Sequence, residues 1–85
     1  MAAISVGTTA TLIATGEGNG TYPSETIVTN DGGASVFIGD DATVTTSTGL
    51  TLADGSSLGV KLAAGRTIYG IVAASTNEVR VVSWE

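Results

Sequence analysis

The chain has 85 residues, eight acids against three bases for a formal net charge of −5, twelve glycines, and neither cysteine nor histidine. That length makes one small domain, and the missing residue types exclude a disulfide framework, a thiolate metal site and a histidine-activated nucleophile. Lys61, Arg66 and Arg80 are too few and too dispersed to hold a phosphate backbone, and no apolar run nears the roughly 18–20 residues that span a bilayer, so neither nucleic acid nor membrane is expected as a partner.

The first 24 residues are rich in Ala, Thr and Gly. They contain no basic n-region followed by an apolar core, so a secretion signal is not expected and the chain reads as made in the cytoplasm. Thr11-Leu12-Ile13-Ala14 offers a short strand, and Gly16-Glu17-Gly18-Asn19-Gly20 a flexible connection that Pro23 stiffens. Residues 1–24 read as a flexible N-terminal arm or as an edge hairpin, and residues 25–85 as the domain proper. Glu25 to Asn30 holds Ile27 and Val28 in a β-branched stretch. Asn30-Asp31-Gly32-Gly33 then supplies residues that tolerate left-handed backbone, and Ser35-Val36-Phe37-Ile38-Gly39 follows, so the pair is predicted to form a β-hairpin.

Asp40 and Asp41 begin a loop, and the Thr-rich Ala42 to Thr48 reads as partly extended. Leu50 and Leu52 alternate with Thr51, as Leu58, Val60 and Leu62 do with Gly59 and Lys61. Within this half one phrase occurs twice. Leu52-Ala53-Asp54-Gly55-Ser56-Ser57-Leu58 and Leu62-Ala63-Ala64-Gly65-Arg66-Thr67-Ile68 share Leu-Ala-x-Gly-x-[Ser/Thr]-aliphatic. Each copy sets a glycine in a short polar break, where a reversal needs positive φ, and two such breaks predict strand, turn, strand, turn, strand, read as a β-meander. Ile68 to Ala74 is apolar on both faces, like a strand covered on two sides, and after Ser75-Thr76-Asn77 a last strand runs from Glu78 to Trp84.

Helical periodicity is absent, and about seven short strands punctuated by turns predict an all-β fold, a small antiparallel β-sandwich or jelly-roll-like barrel with an N-terminal arm. Its expected interior is Ile27, Val36, Ile38, Leu50, Leu52, Leu58, Val60, Leu62, Ile71, Val79 and Val81.

No set of residues here is arranged for catalysis. A serine nucleophile would have to use Lys61 as its base, and Lys61 sits in a strand alternation as a solvated residue. Asp31, Asp40, Asp41 and Asp54 lack the order of a calcium loop and occur where turns favour aspartate anyway. The Gly16-x-Gly18-x-Gly20 run lacks the helix start and lysine of a phosphate cradle, and Asn19-Gly20-Thr21 matches a glycosylation sequon in a chain not expected to be exported. No catalytic, metal or cofactor site is therefore expected. Phe37 and Tyr69 are expected in or beside the core. A penultimate Trp84 points to a paired last strand or a contact between subunits.

Ser35-Val36-Phe37-Ile38-Gly39, Val44-Thr45-Thr46-Ser47-Thr48-Gly49, the two Leu-Ala-x-Gly turns, Thr67-Ile68-Tyr69-Gly70-Ile71-Val72-Ala73 and Glu78-Val79-Arg80-Val81, in that order, resemble small virion structural proteins of tailed bacteriophages over about residues 26–83. The resemblance implies a capsid decoration protein on the shell exterior, commonly a homotrimer, bridging neighbouring major capsid subunits, with a head-tail or tail accessory role as the alternative. It supplies no catalytic residues. With that reading, Thr11, Leu12, Ile13, Tyr22 and Trp84 are the expected partner-binding residues, the arm adding a strand to a neighbour's edge. A carbohydrate-binding β-module is the competing class, and it needs exposed aromatics on a flat face.

Overall fold

The computed structural model describes residues 2–16, 24–62 and 65–84, with backbone only at Ala2, Ser24, Ser83 and Trp84. All its regular elements are strands: β1 (Ala2–Val6), β2 (Thr11–Thr15), β3 (Ser24–Asn30), β4 (Val36–Gly39), β5 (Leu50–Leu52), β6 (Ser57–Leu62), β7 (Thr67–Ile71) and β8 (Asn77–Trp84). They form two four-stranded antiparallel sheets packed as a sandwich, sheet I in the order β1-β8-β3-β6 and sheet II in the order β2-β7-β4-β5. Neither sheet closes into a barrel. The count is eight strands where the sequence reading has seven, because the Ala-rich β1, with little intrinsic strand propensity, is held by its register against β8.

Every connection except β4 to β5 passes from one sheet to the other. Two sequence expectations fail for that reason. β3 and β4 are not a hairpin, and β5, β6 and β7 are not a meander, although the strands and turns between them are real. The two repeated glycines do what the repeat requires: Gly55 and Gly65 both have φ of 81°, and the leucine three residues before each, Leu52 and Leu62, is buried. The phrase therefore encodes a strand end anchored in the core followed by an arch to the opposite sheet.

The arches are held by a buried amide pair. Asn30, at the end of β3, donates through Nδ2 to the carbonyls of Ala34 (2.6 Å) and Leu52 (2.8 Å), and its Oδ1 accepts from Nδ2 of Asn77 (2.7 Å), the first residue of β8. Asn77 Oδ1 in turn accepts the Ala34 N–H at 3.2 Å, while the Asn30 backbone exchanges bonds with Ser56 and Gly55. The β3–β4, β5–β6 and β7–β8 connections thus meet at one node. Gly32 fits against it only because it has no side chain, since a Cβ there would lie 2.2 Å from Asn77 Oδ1.

The interior is aliphatic. Sheet I contributes Val6, Val28, Leu62, Val79 and Val81, sheet II contributes Ile13, Val36, Ile38, Leu52 and Ile68, and Val72 follows β7. Residues 2–6 and 11–15, within the segment read as an arm or hairpin, are edge strands of the two different sheets and place Val6 and Ile13 in this core.

Several residues expected inside lie elsewhere. Ile27 is 39% exposed and its neighbour Val28 fully buried, because Thr26, Val28 and Asn30 share the inward face and Asn30 must face inward to reach its partners. Ile71 is half-buried on the outer face of sheet II. Leu50 pairs with the buried Ile38 on the inner face yet is 61% exposed, and Leu58 and Val60 only border the core. The Thr-rich Ala42 to Thr48 is a run of turns, not extended chain: Thr45 and Thr48 bond each other's backbone and hydroxyl groups, and Val44 seats on Gly39.

Candidate interaction surface

Strand alternation decides what sheet II shows to solvent. Val36 and Ile38 point inward, so Phe37 points out; Ile68 and Gly70 point inward, so Tyr69 points out. Register then assembles a face. Leu12 of edge strand β2 lies opposite Tyr69, which lies opposite Gly39, and in the next row Ile71 lies opposite Phe37, which lies opposite Thr51. Phe37, Tyr69 and Ile71 are half-buried and Leu12 is 46% exposed. This outer face contains no charged side chain among those register positions. Both aromatics lie on the outer face, outside the aliphatic core, and the sequence signal that would have placed them there is the period-two alternation, which puts each on the face opposite its two neighbours.

Of the residues expected to bind a partner, Leu12 is presented on this face. Ile13, displaced by a bulge between Leu12 and Ala14, is 5% exposed and belongs to the core. Thr11 is half-buried, its hydroxyl donating to the Thr9 carbonyl at 2.9 Å. Tyr22 lies outside the described residues, as do residues 17–21 with the sequon and most of the glycine run. Trp84 is described in its backbone alone, which ends β8 opposite Glu25.

Three of the four aspartates are engaged separately in their turns, and among the described residues Asp40 bonds only through its backbone carbonyl, to the Thr67 hydroxyl. Asp54 accepts the Gly33 N–H at 2.9 Å, Asp31 faces Arg80 at 3.6 Å, and Asp41 accepts both the hydroxyl and the N–H of Thr43. The Thr43 hydroxyl, and secondarily its amide, stabilise the Asp41 carboxylate and hold its pKa below the ordinary aspartate value. Among the described residues no three acidic side chains gather where they would hold a metal ion. Arg80 also bonds Glu78 at 3.1 Å, and all three side chains of that cluster are half exposed, so its contribution to stability is small.

Sheet I differs. Its outer face carries Glu25 opposite Lys61, Ile27 opposite Gly59, and Thr29 opposite Ser57, with a shallow depression of about 300 Å³ over Gly59. A second hollow of about 390 Å³, which shares Val60 and Lys61 with the first, lies between the sheets and is lined by Leu50, Leu58, Leu62, Ile38 and Ile68 among others. Among the described residues, the sandwich is open on that side. Its geometry defines the class, a small all-β sandwich with one apolar outer face and one open edge. Comparison with protein-family models, with curated proteins and with solved structures finds no match in any of the three.

Proposed function

We propose that this is a structural interaction protein, a capsid decoration protein that binds the exterior of a tailed-phage shell and stabilises it by bridging neighbouring major capsid subunits. The observation that carries the reading is the outer face of sheet II, where Leu12, Tyr69, Phe37 and Ile71 form an uncharged, partly aromatic surface that runs from edge strand β2 across β7 to β4. Exposed apolar surface of that kind is suited to contact with another protein. The sheet orders β1-β8-β3-β6 and β2-β7-β4-β5 are those of a double Greek-key jelly roll, an architecture found in virus capsid domains and in lectins. That is support by analogy of fold, which hosts many functions. The phrase order shared with small virion proteins points the same way, and a net charge of −5 suits a surface facing away from packaged DNA.

Removing residues 1–22 would not test this reading, since Val6 and Ile13 would leave the core with them. A substitution on the surface does. Purified protein is mixed with expanded, undecorated capsids of the phage that encodes it and sedimented. The wild type is expected to co-sediment at saturable occupancy and Leu12→Lys, folded by circular dichroism, to lose at least tenfold in apparent affinity. Equal occupancy of the two proteins would overturn the assignment of the face, and no occupancy by the wild type would overturn the capsid reading. Binding to isolated tails instead would support the accessory role.

Carbohydrate binding is favoured by one specific observation, the placement of Phe37 and Tyr69 on a single flat sheet face. A saturable glycan-array signal that disappears in Tyr69→Ala, in a protein that ignores capsids, would replace the capsid reading with that one.

A further inference from the structure

The open side of the sandwich leaves its inner face unfinished. Leu50 and Leu52 share that face with Ile38 and Val36, yet Leu50 is 61% exposed and Leu52 6%. In sheet I the inner residues Leu58 and Val60 border the core without being buried in it, whereas Leu62 is 8% exposed. Of these, Ile38, Leu50, Leu58, Val60 and Leu62 line the 390 Å³ hollow beside β6. β6 is the last strand of its sheet, six residues long, paired with β3 on one side and with no strand of the described residues on the other. Of the usual protections of such an edge it carries one, the charge of Lys61, and neither a proline nor a bulge against β3.

We propose that this edge is an interface with a second copy of the chain, β6 pairing antiparallel with β6 across a two-fold axis at Val60. Face matching limits the registers, because paired residues must both point inward or both outward. Centring the axis on Lys61 sets two lysines directly opposite each other, which is unfavourable. Centring it on Gly59 leaves two glycines face to face and the depression unfilled. Centring it on Val60 sets Leu58 against the partner's Leu62 and joins the two inner faces into one apolar seam. On the outer side it lays each Lys61 over the partner's Gly59, where a Cβ would meet nothing within 4 Å. Each lysine keeps Glu25 of its own chain as its register partner on the β3 side, so the added strand sets no like charge opposite it. Only residues already present on one strand are needed, as a two-fold contact demands. The result is a continuous eight-stranded sheet and a dimer, in place of the trimer that the resemblance implies. The proposal does not rest on the capsid reading, since Leu12 stands on the other sheet at its opposite edge.

The test is native mass by light scattering over a dilution series from millimolar to micromolar, for the full chain and three variants. The wild type is expected to reach twice the 8.4 kDa chain mass at the concentrated end and dissociate on dilution. Gly59→Lys, whose Cβ meets nothing within 4 Å in the monomer and which sets lysine opposite lysine in the dimer, is expected to weaken association at least tenfold. Gly59→Glu sets a carboxylate opposite the partner's Lys61 and is expected to associate as well as the wild type or better. The double variant Gly59→Lys with Lys61→Glu is expected to recover the dimer. A wild type that is monomeric at millimolar concentration, a trimer, or equal behaviour of Gly59→Lys and Gly59→Glu would each overturn the proposal.

Discussion

Asn30 is fully buried, and its side-chain amide reaches two carbonyls and a second amide from three different segments of chain. Among the described residues no buried side-chain polar atom is left without a partner, so this node is complete as it stands. Replacing Asn30 by alanine removes the donor to Leu52 and the acceptor for Asn77 together. Leaving buried groups unpaired costs more than the net value of the bonds, and the expected loss is about 2–4 kcal/mol, read as a lower midpoint in urea at unchanged slope. A loss below about 1 kcal/mol would mean that water satisfies the node. The sequence displays Asn30 as the first residue of an Asn-Asp-Gly-Gly turn, and local chemistry gives no hint that it is an interior anchor. Beside the local Ala34, its partners lie 22 and 47 residues away, where no spacing rule connects them.

At the scale of the element, the repeated Leu-Ala-x-Gly phrase was the most legible part of the chain. Gly55 and Gly65 share a φ of 81°, and a Cβ at either would meet nothing within 4 Å, so the demand for glycine is conformational and not steric. Gly55→Ala and Gly65→Ala are therefore each expected to cost about 1–2 kcal/mol, the penalty of left-handed backbone for a residue with a Cβ. Thermal denaturation of both variants checks it, and a clear disparity between them would show that the two arches are not equivalent. Legibility ended at the partner of each strand. Turn residues state that the chain reverses; whether it reverses within a sheet or arches over to the opposite one depends on what its flanking strands bury. Strand β3 shows the same boundary, since Ile27 and Val28 are alike in propensity and only the inward requirement of Asn30 selects Val28.

For the whole molecule, the small core and its open side are linked. A chain of this size buries a limited share of its surface, and here Leu50 and the rim of β6 remain partly uncovered. If the β6 edges pair, folding and association are coupled, and the melting temperature is expected to rise with protein concentration for the wild type and to stay flat for Gly59→Lys. Concentration-independent melting of both proteins would instead assign all the stability to the single chain.

By itself the sequence determined that this protein is all-β, that its strands are short, where its glycine turns fall, and that histidine- and cysteine-dependent chemistry is closed to it. Those properties follow from composition and near-neighbour spacing, which act through local backbone preference. The tertiary structure alone decided that the strands alternate between two sheets, that Phe37 and Tyr69 face solvent, and that β6 is an open edge. Each of these depends on which distant segments share the core, and a core is chosen by the simultaneous burial and hydrogen-bond satisfaction of the whole chain.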